Sequence, residues 1–227
     1  MNNIFFSSGQ KGGVGKSLVS LALIDYLTAL KHSVHLIESD TSNPDVGKAH
    51  ESTAIPVTLN QLDDIHGWMA LLDTLEQNPV TDFIVNTAAR SQAGFERHYA
   101  LLLNSLSELQ LNLETFWVIN PDRDSLQLLV QYRKLLPGLL KVHVVKNGYF
   151  CDDSDFEIYN NSSLKKEIEA CGGLSIFFPK IASRVAKRIY SERLSIDKAA
   201  STLTLSERAE LSRWRTAVSH CFQGVVS

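Results

Sequence analysis

The sequence lacks the features that mark membrane, secreted and metal-binding proteins. It has no apolar run of about 18 residues, the length that a membrane span needs. Its first residues show no basic region followed by an apolar core, so we expect no secretory signal. Three cysteines, odd in number and without metal-type spacing, favour free thiols in a reducing compartment. The seven histidines form no ligand cluster, so the sequence predicts a cytoplasmic globular protein.

The chain also lacks internal repeats, low-complexity tracts and a clear linker. We therefore expect one domain over residues 1–227, with an ample core. Residues 180–215 carry nine lysines and arginines against four acidic residues, a net charge of +5, whereas the rest of the chain nets −8. This asymmetry predicts a basic, helical C-terminal part over residues 180–222 and a localised anionic partner.

Short apolar runs alternate with amphipathic runs along the whole chain. The strand-like runs are 4–7, 34–38, 83–86, 115–119, 141–145 and 175–178. The helix-like runs are 17–30, 67–77, 94–109, 123–136, 162–170, 181–194 and 205–222. Continuous apolar strands between helices predict an α/β fold with a doubly wound, mainly parallel sheet flanked by helices. Ligands of such sheets bind at the carboxyl ends of the strands.

A glycine-rich loop over residues 9–17, with the sequence GQKGGVGKS, follows the first strand and opens the first helix. Glycines let successive N–H groups point inward at phosphate oxygens, and the helix N-terminus adds its positive dipole end. Lys16 is expected on the β- and γ-phosphates, and the Ser17 hydroxyl on Mg²⁺. The usual first glycine is replaced by Gln10, and a second lysine, Lys11, enters the loop.

With Lys11, this loop resembles the deviant Walker A loop of the ParA/MinD family of ATPases, and Gln10 is what ParA-like members carry. The resemblance implies a P-loop NTPase fold, ATP or ADP as nucleotide, Mg²⁺, and a homodimer that forms on ATP binding. Lys11 would cross the dimer interface to the partner's phosphates and act in catalysis with Lys16. The loop residues that the resemblance assigns to the nucleotide are Gly12, Gly13, Val14, Gly15, Lys16, Ser17 and Leu18.

Acidic residues follow the second strand at positions 38 and 40. Residues two apart on a strand share a face, so Glu38 and Asp40 can both point at the nucleotide. By resemblance, Asp40 orients the attacking water and joins Ser17 at the metal, and residues 41–50 form a nucleotide-sensing switch. The third strand ends at Asn86, where the family's Walker B motif has Asp. We expect Asn86 near the metal, where it supplies no negative charge.

Two later positions match the part of the family pattern that holds the base. Asn147 ends a strand and offers both a donor and an acceptor, as the adenine edge requires, although an Asn before Gly148 is also an ordinary turn residue. Pro179 follows the last strand and would close over the base. The Asn120-Pro121-Asp122 turn is similar to an Asn-Pro turn of the family.

The C-terminal part suggests a subgroup and an anionic ligand. Its sequence resembles the plasmid-borne StbB/TraL-like and mobilisation proteins, which implies a plasmid-encoded partner protein. Arg184, Lys187 and Arg188 share one face of a helix and fit a sequence-independent DNA contact, although a solvated charged face is an equal alternative. A membrane-surface role for the last helix is not expected, because the segment ends in a polar tail and lacks lysines.

The function that the resemblance implies is a weak ATPase switch in plasmid partition, stability or conjugal transfer. It would work in the bacterial cytoplasm and, if it binds DNA, at the nucleoid. Because Asn86 removes a carboxylate, a second hypothesis stays open. In that hypothesis the protein is a nucleotide-binding adaptor with little or no hydrolysis that positions a partner protein or a membrane complex.

Overall fold

The structure, a computed structural model, describes residues 2–9, 11–89, 91–136 and 140–225, and for Gln92 the backbone alone. The prediction that rests on Gln10 lies outside the described residues. The described residues form seven strands: β1 Asn2–Ser8, β2 Val34–Glu38, β3 Val57–Leu59, β4 Asp82–Asn86, β5 Leu111–Ile119, β6 Lys141–Asn147 and β7 Ser175–Phe178. They make one sheet in the order β3-β2-β4-β1-β5-β6-β7.

All neighbouring strands run parallel, so every connection is a crossover. The helices that make or flank these crossovers are α1 Lys16–Ala29, α2 Asp45–His50, α3 Ile65–Glu76, α4 Gln92–Leu109, α5 Arg123–Leu135, α6 Glu157–Asn160, α7 Ser163–Ala170, α8 Ser183–Ser191, α9 Ile196–Thr202 and α10 Leu205–Phe222. A short 3₁₀ turn, Asp153–Asp155, precedes α6. The predicted doubly wound α/β sheet is confirmed.

The strands alternate their side chains between two hydrophobic cores, one on each face of the sheet. In β1, Phe5 packs with α1, α2 and α8–α10, whereas Ile4 and Phe6 pack with α3–α7. This alternation is the two-residue period of a strand covered on both sides. The carboxyl ends of the parallel strands therefore lie at the same edge of the sheet. α1 begins at this edge, directly after the loop that follows β1.

The basic C-terminal part packs onto the first of these cores. Trp214 and Phe222 of α10 are fully buried and contact Phe178 of β7 edge to face or at a tilt. The indole Nε1 of Trp214 also donates to the carbonyl of Pro179 at 2.8 Å. The last helix thus docks on the sheet, and it holds the turn after β7 in place.

Four short elements were not predicted from the sequence: β3, α2, α6 and α9. β3 has three residues and lies at the edge of the sheet, and α2 and α6 are under two turns long. Elements of this length carry too few residues for a hydrophobic period to show. The fold needs α2 because its Val46 and Ala49 cover the core beside α1.

Candidate functional site

The glycine-rich loop joins the end of β1 to the start of α1. Gly15 is the N-cap of α1 and has a φ of +108°, in the left-handed region. A Cβ on Gly15 would lie 2.3 Å from Asn147 Nδ2, so a side chain there is excluded by both backbone and contact. The carbonyl of Lys16, in the first turn of α1, accepts from the Ser7 hydroxyl at 3.0 Å. The conformation of the loop therefore depends on the left-handed backbone of Gly15 and on a hydrogen bond from β1.

Lys16 is a buried cation that lacks an ion pair. Its side chain is 8% exposed, and within the part of the chain that the structure describes it has no hydrogen bond or salt bridge. Burial lowers the pKa of Lys16, and the negative charge of Asp40 opposes that shift. A buried ammonium without a carboxylate partner calls for an anion from outside the chain. This matches a phosphate at the N-terminus of α1.

A cavity of about 320 Å³ opens beside the loop, between the strand ends and α8. Five of the residues predicted to bind the nucleotide line it: Gly13, Gly15, Leu18, Asn147 and Pro179. The other predicted loop residues, Gly12, Val14, Lys16 and Ser17, are their chain neighbours. Positions up to 166 residues apart in the sequence thus converge on one cavity next to the phosphate loop.

Sequence reasoning missed the aromatic residues at this cavity. Tyr149 and Tyr190 line it, and Tyr149 is 61% exposed. Lys180 lies over the Tyr149 ring, with Nζ 5.7 Å from the centroid. Burial raises the pKa of Tyr190 to about 12, helped by the negative charge of Asp45. No pattern in the sequence placed these two tyrosines beside the phosphate loop.

Both polar atoms of the Asn147 side chain form hydrogen bonds within the protein. Its Nδ2 donates to the Val14 carbonyl at 2.7 Å, and its Oδ1 accepts from the backbone N–H of Tyr149 at 3.0 Å. Asn147 therefore pins the phosphate loop to the turn after β6. Its predicted reading of adenine stays a prediction, and it would have to use the second lone pair or the second amide proton.

Lys11 forms an ion pair with Asp122, in the turn that follows β5. The hydrogen bond between them raises the pKa of Lys11 and lowers that of Asp122. Asn120 also donates from Nδ2 to the same carboxylate at 2.9 Å. In the single chain, Lys11 is thus held by an exposed acid of its own subunit.

Glu38 is buried and ties together the ends of two strands. Its Oε1 accepts from Asn86 Nδ2 at 2.8 Å and from the N–H of Asp40 at 3.1 Å, and its Oε2 accepts from the N–H of Gly47 at 3.1 Å. Burial raises the pKa of Glu38, whereas these bonds oppose the shift. Asn86 Oδ1 accepts from the Ser20 hydroxyl at 2.9 Å.

The residues predicted to bind a metal do not form a complete coordination site on their own among the described residues. No group of three or more His, Cys, Asp or Glu side chains that could hold a metal occurs among the described residues. Ser17 and Asp40 show no side-chain hydrogen bond to each other, and Asn86 faces Glu38 and Ser20 instead. An ion here would need oxygens from phosphate and water as well, as is usual for Mg²⁺.

The predicted DNA-contact residues lie on α8, but two of the three are engaged. Arg184 Nε and Arg188 Nη1 donate to the Glu207 carboxylate at 2.7 and 2.8 Å, and Arg188 also pairs with Glu192. Glu207 caps α10 through Thr204, and these bonds lower its pKa to about 2. Lys187 has no ion pair in the described part of the chain.

Comparison with known proteins was made by sequence and by fold. No family model matches the chain. Protein MobD from Acidithiobacillus ferrooxidans is 44% identical over 224 residues, which cover 99% of this chain and 98% of the relative. None of the described helices is long and apolar enough to cross a membrane.

Several solved structures share the fold at low identity. The MinD cell division protein of Aquifex aeolicus has a TM-score of 0.57 at 14% identity, covering 99% of this chain and 98% of that one. MinD of Pyrococcus horikoshii, complexed with Mg-ADP, has a TM-score of 0.56 at 14% identity, covering 100% and 98%. A nucleotide-binding protein of Archaeoglobus fulgidus in complex with ADP has a TM-score of 0.52 at 13% identity, covering 91% and 94%. The chain therefore shares its fold with these proteins.

Proposed function

This chain belongs to the MobD family, and from that premise we propose that it is a switch ATPase that binds Mg-ATP and dimerises on it. The observation that carries the proposal is the buried Lys16 at the start of α1, which has no ion pair among the described residues and lies beside a cavity lined by five predicted nucleotide residues. The structures of similar fold include an ADP and a Mg-ADP complex, which supports this nucleotide and ion. MinD is also found in a complex with MinC, which supports a protein partner.

The residues of the loop fit the phosphates and the ion chemically. A Cβ added at Gly12 or Gly13 would meet no heavy atom within 4 Å, so there is open space beside the loop for a phosphate, and Lys16 supplies the positive charge. Ser17 and Asp40 are the side chains that would hold Mg²⁺ with phosphate and water oxygens. When bound, Mg²⁺ neutralises charge on the phosphates. Asp40 orients the attacking water, and Leu18, Asn147 and Pro179 bound the space for the base.

Lys11 gives the site its dependence on a second subunit. In the single chain it pairs with Asp122, and both side chains are substantially exposed, 37% and 52%. Because an exposed ion pair contributes little stability, the lysine can easily exchange its carboxylate partner for another anion. We infer that Lys11 leaves Asp122 when a partner's phosphates come within reach, so that dimerisation reports bound ATP.

Hydrolysis is proposed to be slow, because Asn86 cannot supply the carboxylate of a Walker B motif. The alternative is an adaptor that binds nucleotide and hardly turns it over. Phosphate release measured with and without DNA separates the two. Turnover that depends on Lys16 supports the ATPase, whereas no turnover under either condition favours the adaptor.

The biological role proposed is in plasmid mobilisation, partition or stability. The name of the relative, MobD, points to mobilisation, and the C-terminal sequence resembles StbB/TraL-like plasmid proteins. Such a role implies a plasmid-encoded partner protein and a place in the bacterial cytoplasm, at the nucleoid where DNA is bound.

DNA contact is proposed through the exposed face of α8. Arg184 is 72% exposed despite its bond to Glu207, and Lys187 has no ion pair in the described ranges. Lys187→Ala should lower DNA affinity and reduce the slope of log K against log salt by about 1, because one phosphate contact is lost. Lys166→Ala, the same charge loss on α7 at the other face of the sheet, should leave both unchanged. Equal effects of the two variants would contradict the assignment to α8.

Binding of the nucleotide is tested by titration calorimetry with a non-hydrolysable ATP analogue and Mg²⁺. We expect the wild-type protein to bind and Lys16→Ala to lose binding. Lys165→Ala on α7, which packs on the opposite face of the sheet from α1, is the matched control. A wild-type protein that binds no analogue would overturn the proposed function.

A further inference from the structure

The end of β4 is linked to α1, β2 and α2 by one continuous chain of buried hydrogen bonds. Ser20, Glu38 and Asn86 are all at most 1% exposed. The Ser20 hydroxyl donates to Asn86 Oδ1 at 2.9 Å, and Asn86 Nδ2 donates to Glu38 Oε1 at 2.8 Å. Glu38 Oε2 then accepts from the N–H of Gly47 in α2 at 3.1 Å. The chain therefore runs from the phosphate-loop helix to the segment that follows Asp40.

The chemistry of the partners fixes which way the Asn86 amide points. A carboxylate only accepts, so the atom of residue 86 that meets Glu38 must be the NH₂ group. The oxygen is then left for Ser20, whose hydroxyl donates to it. Glu38 in turn receives three N–H donors, from Asn86, Asp40 and Gly47, and both of its oxygens are used.

This pattern explains why Asn stands where the family pattern has Asp. An ionised Asp at position 86 could accept from Ser20 but could not donate to Glu38. Two buried carboxylates would then meet at the 2.8 Å spacing of the present bond, unless one of them took up a proton at a cost in free energy. Asn86 and Glu38 are thus matched to each other, and the substitution is more than the loss of a charge.

The position of this chain of bonds suggests what it transmits. Ser20 lies one turn beyond Ser17, on the helix whose first turn faces the phosphate site. At the other end, the N–H groups of Asp40 and Gly47 bracket the loop that leads from the water-positioning residue into α2. A shift of α1 on phosphate binding would therefore reach this loop through Asn86.

We propose that Asn86 is a positioning residue that couples α1, through Ser20 and Glu38, to the 40–47 loop, so that this loop tightens when nucleotide fills the phosphate site. The proposal rests on the proposed function, since it needs a nucleotide that binds at α1. It assigns Asn86 to the protein's own conformational coupling and leaves the metal to Ser17 and Asp40.

The test is amide hydrogen exchange at Asp40 and Gly47, followed by NMR with and without Mg²⁺ and a non-hydrolysable ATP analogue. In the wild-type protein the analogue should slow exchange at both amides about fivefold or more, the equivalent of about one hydrogen bond. Ser20→Ala and Asn86→Leu should still bind the analogue but lose most of this slowing. Thr115→Val, which removes a buried hydroxyl bond to Tyr132 elsewhere in the sheet, is the control and should keep it.

Outcomes that overturn the inference differ from those that overturn the proposed function. If Ser20→Ala and Asn86→Leu bind the analogue and show the same slowing as the wild type, the coupling is wrong while nucleotide binding stands. If the wild type binds no analogue, the proposed function fails and takes the coupling with it. Ser20→Ala removes a single oxygen, so it serves where Asn86→Leu does not fold.

Asn86→Asp supplies a further discriminating result. If Asn86 and Glu38 are matched as proposed, Asn86→Asp should speed amide hydrogen exchange at Gly47 and should not increase phosphate release, because the hydrogen-bond donor to Glu38 is lost. Higher turnover together with unchanged exchange at Gly47 would contradict the inference. That result would mean that Asn86 affects the site only through the carboxylate that it lacks.

Discussion

At the scale of the residue, the shape of the phosphate loop depends on Gly15. Its φ of +108° is strained for any other residue, and its missing Cβ leaves the space that Asn147 Nδ2 occupies. Asn147 can therefore reach the Val14 carbonyl and hold the loop against β6. One absent methyl group thus permits the contact that joins the phosphate loop to the base cavity.

Gly15→Ala should lower the free energy of unfolding of the nucleotide-free protein by about 1–3 kcal/mol, because it combines backbone strain with a steric clash. Gly12→Ala is the matched control, since its φ is not positive and an added Cβ would have no heavy atom within 4 Å. Urea unfolding of both variants measures the difference. Equal stabilities would mean that the Gly15–Asn147 contact does not constrain the loop.

Side-chain pairing is the part of the site that residue patterns did not predict. The loop, Lys11, Glu38 and Asn147 were recognised by their spacing, but Asp122 is 111 positions from the lysine that it binds. Glu207, the acid that occupies Arg184 and Arg188, was read only as part of a charge count. Such pairs follow from how the helices pack on the sheet, and no local pattern encodes them.

At the scale of the element, α2 closes the core over β2 and ends in a buried histidine. Thr53 donates its hydroxyl proton to the carbonyl of His50, so its oxygen accepts from His50 Nδ1–H at 3.2 Å. His50 Nε2 has no hydrogen-bond partner among the described residues. Burial lowers the pKa of His50 from 6.5 to about 4, so the folded protein holds this ring neutral.

The stability of the fold should fall as the pH drops from about 6.5 to about 4. In that window the unfolded chain takes up a proton at His50 that the folded form refuses, so unfolding is favoured by acid. The total effect is on the order of 3 kcal/mol. Urea unfolding across this range should show a flatter pH dependence for His50→Gln, with His66→Gln, at an exposed position of α3, as the control. A slope unchanged by His50→Gln would show that this histidine is not the group responsible.

The last helix, α10, joins the C-terminal part to the base cavity. Trp214 is fully buried, and it bonds the carbonyl of Pro179, which lines that cavity. Trp214→Ala should lower the free energy of unfolding by about 3–5 kcal/mol and weaken nucleotide binding as well. Leu205→Ala, on the same helix and 77% exposed, should change neither quantity. If Trp214→Ala lost stability but kept its nucleotide affinity, the contact between α10 and Pro179 would have no role in nucleotide binding.

The elements with a continuous apolar run or a long amphipathic period could be predicted from the sequence, and the others could not. β2, β7 and α10 have the predicted bounds, because continuous apolar runs and a long amphipathic run are strong signals. β6 extends two residues beyond the predicted apolar run, 141–145, and ends at Asn147, the residue expected at the end of this strand. Helix α9 was missed because it follows α8 after only a short turn.

At the scale of the whole molecule, Lys11 is the residue through which bound ATP is proposed to favour the dimer. The fold brings the phosphate loop, Asp40 and the turn that carries Asp122 to the same edge of the sheet. In the single chain, Asp122 neutralises the charge of Lys11. A dimer would exchange this contact for phosphate, and Asn86 and Glu38 would carry the shift of α1 to the 40–47 loop.

The most direct test of this account is the solution mass with ADP and with a non-hydrolysable ATP analogue, each with Mg²⁺. Light scattering after size exclusion should give 25.3 kDa with ADP and about twice that mass with the analogue. Lys11→Ala should stay at the mass of one chain with both nucleotides, and Lys166→Ala should behave as wild type. A wild-type protein that binds the analogue and stays monomeric, or a Lys11→Ala variant that dimerises with it, would contradict the account.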